Sequence, residues 1–246
     1  MPARWLLEDF LKGIKVMRDG KTLNLVVIAH PDDEILGFGA TGAQLVRKGE
    51  LVQPIILCGD VDARTCRPAN EELHADMCAA NELLGFSEPV LGSFPNIRMN
   101  TVDHIELVQY IERQIELFQP TRIFTHHPAD LNNDHVHVSR ACMVAARYFQ
   151  RRANIRPLVS LSFMEVLSST DWSFPSESAQ FSPNCFVDVT DSLDIKIKAL
   201  SKYRGVMRQE PHPRSPEVIR GHAAYRGGQC GKRYAEAFQT VFRIGF

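Results

Sequence analysis

The feature that most constrains this chain is an alternation, in which short apolar runs take turns with stretches whose apolar residues recur at helical spacing. Leu23–Ala29, Leu51–Leu57, Arg122–Thr125 and Leu158–Phe163 are each bounded by polar or turn residues, as buried strands are. Between them, Glu34–Lys48, Asn70–Leu84, Asp103–Phe118 and Asp134–Gln150 read as amphipathic helices. Strand and helix in alternation imply βαβ units, which build a parallel sheet covered on both faces. The expected fold is therefore α/β and Rossmann-like, with a mostly parallel sheet and helices on both faces. A leading helix is expected over Trp5–Met17, packing through Leu6, Leu7, Phe10, Leu11 and Ile14. Past Ser168 the pattern breaks into a Ser/Pro-containing loop, a short run Cys185–Val189, a helix expected over Ser192–Arg208 and an irregular stretch Gln209–Pro216. No linker, repeat or low-complexity block interrupts the 246 residues, which read as a single domain, 1–246.

Charge and cysteine usage narrow the function classes. With 28 basic and 29 acidic side chains the net charge is -1, so the chain is not built to neutralise a nucleic-acid backbone, and its partners are expected to be small molecules. No apolar run approaches the roughly 20 residues of a membrane span. Arg4, Glu8 and Asp9 interrupt the start of the chain where a secretory leader would be apolar, which points to the cytoplasm. The six cysteines form no CxxC pair, against both a zinc ribbon and a dithiol redox centre. A homo-oligomer is compatible with this composition.

Chemistry concentrates at two strand ends. Ala29-His30-Pro31-Asp32-Asp33-Glu34 follows the strongest strand and opens a helix, with Pro31 expected in its first turn. Ligands in open α/β sheets bind beyond the carboxyl ends of strands. Three successive carboxylates repel one another unless a cation, solvent or a helix N-terminus compensates. The second cluster, His126-His127-Pro-Ala-Asp130-Leu-Asn132-Asn-Asp134-His135-Val-His137, also follows a predicted strand. If the two strands are sheet neighbours, imidazoles and carboxylates converge on one crevice, the mixed donor set of a catalytic zinc site with an open position.

These residues resemble the zinc-dependent N-deacetylases of the LmbE/PIG-L type, which remove acetyl groups from N-acetylglucosamine-containing molecules. The resemblance rests on AHPDDE at 29–34 and on Asp134-His135, with support from Phe94-Pro95-Asn96 and Arg98 and from Tyr234-Ala-Glu-Ala-Phe238. It implies one Zn2+ held by His30, Asp33 and His135, with Asp32 as general base toward an acetamide and Arg98 among the substrate-binding residues. Asn132 stands where many members carry a histidine thought to stabilise the oxyanion. An Asn amide can still donate there, without positive charge. An arginine and a glutamate associated with substrate binding in the family appear here as Leu73 and Asp76.

Two further features bear on ligand choice. Gly37-Phe-Gly39-Ala-Thr-Gly42 matches the dinucleotide pattern G-x-G-x-x-G, with Asp60 downstream, which keeps a nucleotide- or NAD-binding protein as an alternative. The pattern begins seven residues past His30, too late for the turn at the strand end, so packing glycines are the expectation. A metal-binding protein without turnover is the other alternative. Residues 201–246 hold two lysines and seven arginines against three glutamates, a charge of +6. That fits either a solvated basic face or an anion-binding wall built around His212 and Arg214, and the second reading makes an anionic N-acetyl amino sugar conjugate the expected substrate. The remaining histidines, His126 among them, are expected to be surface or packing residues.

Overall fold

The computed structural model describes residues 21–59, 68–174 and 180–245. The expected leading helix, Asp60 and Cys66 lie outside the described residues. In chain order the elements are β1 (Leu23–Ile28), α1 (Asp33–Arg47), β2 (Leu51–Ile56), α2 (Asn70–Leu84), β3 (Val90–Leu91), α3 (His104–Phe118), β4 (Arg122–Thr125), α4 (Asn133–Ala145), β5 (Ser160–Met164), β6 (Cys185–Asp188), α5 (Leu193–Leu200), α6 (Pro216–Cys230) and β7 (Ala235–Arg243).

They build one seven-stranded sheet in the order β3-β2-β1-β4-β5-β7-β6. The first five strands are parallel. β7 pairs antiparallel with both β5 and β6. The fold is thus α/β, as the alternation implies. β1 sits between β2 and β4, with Val27 opposite both Ile55 and Thr125. The chain runs outward from β1 to β3 and returns on the other side at β4, so the crevice of the sheet lies between the carboxyl ends of β1 and β4.

Every residue of β1 is buried, because the strand is covered twice. Its side chains alternate between two cores. Val26 and Ile28 pack toward α1, α2, α5 and α6, whereas Leu25 and Val27 pack toward α3 and α4. Phe38 of α1 is fully buried among Phe86, Phe124 and Phe238, uniting a helix, a loop and two strands. Burial of a ring like this contributes about 1.5–3 kcal/mol.

An ion pair is inserted into α1. Lys196 Nζ donates to the Leu36 carbonyl at 2.6 Å and to Glu236 Oε1 at 2.6 Å. Glu236 in turn accepts from the backbone N–H groups of Ala40 and Thr41 at 3.2 and 2.7 Å. Carbonyl and amide groups that would otherwise bond to each other along the helix thereby join α1 to α5 and β7. The buried ammonium and carboxylate are both satisfied, the condition under which such a pair is tolerated.

Several expected boundaries are corrected. The first helix starts at Asp33, leaving Pro31 before the cap rather than in the first turn. The helix expected over Ser192–Arg208 stops at Leu200, where Ser201 Oγ donates back to the Ile197 carbonyl and the chain turns through Gly205 at φ 71°. The helix expected to Gln150 ends at Ala145, followed by a 3-10 turn over Tyr148–Gln150. β3, α6 and β7 have no counterpart in the sequence reading. Among the described residues no helix is long and apolar enough to cross a membrane.

Candidate active site

The ends of β1 and β4 bring the two polar clusters together. Asp33 opens α1, and its Oδ2 accepts from the His30 backbone N–H at 3.0 Å. The same oxygen lies 3.5 Å from His30 Nδ1 and 3.1 Å from His135 Nε2. His135 occupies the first turn of α4, whose start is fixed by Asn132: its Oδ1 accepts from the Asp134 N–H at 2.9 Å, an N-cap. The donor atoms of His30, Asp33 and His135 lie within 4.8 Å of one another, and all three residues are buried.

Each histidine is oriented by a second carboxylate. His30 Nε2 bonds to Asp134 Oδ2 at 3.0 Å, leaving Nδ1 toward Asp33. Asp134 is itself held by the N–H groups of Ile97 and Met99 at 2.6 and 3.0 Å. His135 Nδ1 lies 3.2 Å from Asp130 Oδ1, leaving Nε2 toward Asp33. Asp130 accepts from Ser169 Oγ, from Thr170 Oγ1 at 2.7 Å and from the Asn132 N–H at 2.8 Å. A histidine whose far nitrogen is fixed by a carboxylate is the usual arrangement of a metal ligand. His135 Nε2 is buried and, despite its 3.1 Å approach to Asp33, makes no hydrogen bond. Two imidazole nitrogens and one carboxylate oxygen therefore suit a divalent ion such as zinc, with a position left open.

Electrostatics agree with that donor set. Burial opposes charge on His135, but Asp33 and Asp130 outweigh it and push its pKa up to about 10. Burial likewise works against the Asp33 carboxylate, which His135 and His30 nevertheless hold well below the usual range. A proton shared in this cluster stands where a cation fits. His126 is different: burial, then the neighbouring His135, push it down to about 3, and its Nε2 accepts from the Ala29 N–H at 2.8 Å. Its ring stacks on His135 at 3.7 Å between centroids. It also groups with Asp130 and His135 within ligand range, but with Nε2 already engaged it serves as a neutral packing wall.

Asp32 stands at the N-cap of α1 with φ 105°, in the left-handed region that a non-glycine residue adopts at a cost of about 1–3 kcal/mol. Glu34 holds it there by accepting the Asp32 N–H at 3.0 Å. Glu34 is fully buried, accepts from Asn81 Nδ2 at 2.9 Å and Tyr203 Oη at 2.5 Å, and burial pushes its pKa up to about 7. Asp32 lines a cleft of about 110 Å³ with His30, Asp33, Asn132, His135 and Arg214. Arg214 Nη1 lies 3.6 Å from Asp32 Oδ2.

Residues 25–146 match the family model described as PIG-L, GlcNAc-PI de-N-acetylase. A curated relative, the uncharacterized deacetylase YaiS of Escherichia coli (strain K12), is 25% identical over 186 residues, covering 73% of this chain and 89% of that protein. The chain belongs to the PIG-L family. It is accordingly a hydrolase of the deacetylase kind. Among solved structures, the N,N'-diacetylchitobiose deacetylase of Pyrococcus horikoshii superposes with a TM-score of 0.73 at 17% identity, covering 96% of this chain and 90% of that one. GalB, the 4-carboxy-2-hydroxymuconate hydratase of Pseudomonas putida KT2440, shares the fold too, at TM-score 0.69 and 20% identity, covering 92% of this chain and 98% of that one. Different reactions thus sit on this fold, and the site has to carry the functional argument.

Other expected residues fall into two groups. Arg98 is exposed on the loop whose neighbouring N–H groups hold Asp134, outside the cleft lining. His212 also stands back from the lining; its Nδ1 accepts the Arg214 N–H at 3.1 Å, and its ring meets Trp172 edge-on at 5.5 Å. Leu73 is core and Asp76 accepts from the Arg204 N–H at 3.0 Å, so neither position offers the cleft a polar group as its PIG-L counterpart is expected to. Gly37, Gly39 and Gly42 lie inside α1, not at the strand end. A Cβ at Gly37 would meet Met164 Sδ at 2.7 Å, and one at Gly42 the Phe86 ring at 2.3 Å. They are packing glycines, which leaves the dinucleotide reading without its phosphate loop. His126 is a packing residue as expected, though packed against a proposed ligand. The orienting roles of Asp130 and Asp134 went unread, although carboxylates one and five residues before His135 are the partners a ligand histidine calls for.

Proposed function

We propose that this PIG-L member hydrolyses the acetamide of an N-acetylated amino sugar conjugate, releasing acetate, with one zinc ion held by His30, Asp33 and His135. The observation that carries the reading is the pair of buried histidines, each with one nitrogen bound by a carboxylate and the other turned to Asp33. A zinc ion bound there supplies Lewis acidity, lowering the pKa of water to about 7 and polarising an amide carbonyl. Asp32 is the general base: it accepts a proton from the attacking water and returns it to the departing amine. Asp130 and Asp134 are fully occupied by other donors, which supports that division of labour. Asn132 spends its Oδ1 on the helix cap, so its amide N–H is the group it offers a developing oxyanion in the cleft. Arg214, positioned through His212, favours an anionic conjugate, and Arg98 lies further out for the carrier group.

The balanced net charge supports a small-molecule substrate rather than a nucleic acid. The test is acetate release from a panel of N-acetylglucosaminides by zinc-loaded protein. Acetate from none of them, with metal bound, would leave a metal-binding protein without this turnover.

A further inference from the structure

A second donor cluster lies along the middle of α2 and shares no residue with the site above. His74 and Cys78 stand four apart on one face of the helix, with Cys78 Sγ 3.6 Å from His74 Nδ1. Gly85 ends α2 in the left-handed conformation, φ 74°, and the chain folds back through Phe86, whose N–H donates to the Asn81 carbonyl at 3.0 Å. That reversal returns Glu88 beside the helix. The Nδ1 or Nε2, Sγ and carboxylate oxygen of His74, Cys78 and Glu88 then lie within 4.8 Å of one another. Cys78 and Glu88 also line a cavity of about 370 Å³ together with Glu82.

We propose that His74, Cys78 and Glu88 form a second metal site, with nitrogen, sulfur and oxygen donors suited to zinc or another borderline-soft divalent ion. Mixed donors of this kind select against magnesium and calcium, which want oxygen alone. His74 and Glu88 are exposed and Cys78 is half-buried, so an ion reaches the site directly and solvent completes its coordination. Burial, then Glu88 and Glu82, push the thiol pKa up, so the group that meets the ion is a protonated thiol. Binding exchanges that proton for the ion: the S–H bond breaks, an S–metal bond forms and H+ leaves to solvent. The same two glutamates supply the negative field that attracts the cation. The bound ion would staple the middle turns of α2 to the loop that follows the helix. Asn81, three residues past Cys78, grips Glu34 behind the cleft, so the staple steadies a support of Asp32 without touching substrate. The inference stands whether or not the protein deacetylates sugars.

Cobalt tests it, because only a thiolate ligand gives the near-ultraviolet sulfur-to-cobalt absorption band. Metal-free wild-type protein titrated with Co2+ should show the band, and Cys78→Ser should lose it while still binding cobalt through His30, Asp33 and His135. In His74→Ala the Kd read from the band should rise at least about tenfold, the scale already set by loss of an outer-shell partner. In unmutated protein, zinc should protect Cys78 from alkylation, read by peptide mass spectrometry, which keeps the test independent of how the variants fold. An absent band, a band that survives Cys78→Ser, an unchanged Kd in His74→Ala, or alkylation indifferent to zinc overturns the site.

Discussion

The parallel part of the sheet, β1 to β5, and the antiparallel part built by β6, α5, α6 and β7 contribute to the cleft in different ways. In the parallel part every proposed ligand sits within ten residues of a strand end, and both orienting carboxylates, Asp130 and Asp134, come from the segment that follows β4. In the antiparallel part single side chains reach across long stretches of sequence, Lys196 to Leu36 and Arg214 to Asp32. Chemistry is assembled from what a strand end presents locally. Rigidity and, on the proposed reading of Arg214, substrate choice are added by distant pairs.

The contrast would break most visibly if the ligand histidines proved dispensable. In a Cys78→Ser background, which leaves only the cleft to hold metal, His135→Ala and His30→Ala should each remove most bound metal and lower kcat/KM by more than the roughly 10–100-fold that loss of an outer-shell partner brings. Elemental analysis after desalting checks this, beside a circular dichroism spectrum expected to match wild type. Full occupancy in both variants would move the metal elsewhere. Asp32→Asn comes next: metal retained, kcat down by about 10²–10⁴. Turnover near wild type with metal in place would detach the strained N-cap from catalysis.

The antiparallel part should answer to acid through stability. Glu165, just past β5, meets Arg226 at 2.7 Å and His222 at 3.0 Å, both on α6. Burial alone would raise its pKa, but the hydrogen bonds from His222 and Arg226 hold it down at about 2, against an ordinary 4.5. A carboxylate depressed in this way stabilises the fold fully above pH 4.5 and loses that contribution as pH falls toward 2. The difference corresponds to about 3 kcal/mol. In urea unfolding, wild type should exceed Glu165→Gln at pH 6, and the gap should close as pH drops below 4.5. A gap independent of pH would mean that the pair adds no proton-linked stability.

Legibility followed the same division. The alternation of runs disclosed β1, β2, β4 and β5 with the four helices around them, and the strand-end motifs disclosed His30, Asp32, Asp33 and His135, because each signal is contained in about a dozen residues. β7 and α6 were not legible. α6 carries three glycines, Gly221, Gly227 and Gly228, and a weak apolar stripe, while β7 owes its place to partners in β5 and β6 rather than to its own period. The ion pair in α1 was equally hidden, since a lysine and a glutamate 40 residues apart carry no joint pattern. The +6 charge of the last 46 residues pointed toward an anion site, but only the cleft separates Arg214, which lines it, from the arginines that do not.

Arg214 is where the antiparallel part meets the chemistry, and its expected effect is the smallest. Its guanidinium is about four-fifths buried, lies 3.6 Å from Asp32 and keeps a buried Nε with no hydrogen-bond partner. A donor left over at the mouth of a cleft suits a carboxylate or phosphate on the substrate, since charge-assisted hydrogen bonds are the stronger kind. Such a bond is worth about 1.5–3 kcal/mol, and partial exposure places this one at the lower end, about tenfold in KM. For Arg214→Ala the expected result is a KM about tenfold higher for an acid-bearing N-acetylglucosaminide, little change for a neutral one, unaltered metal content and a weaker dependence on salt. The split between kcat and KM decides what the arginine does. If both substrates instead lose kcat alike, Arg214 acts through Asp32 as a positioning residue, and the antiparallel part belongs to the catalytic machinery as much as the strand ends do.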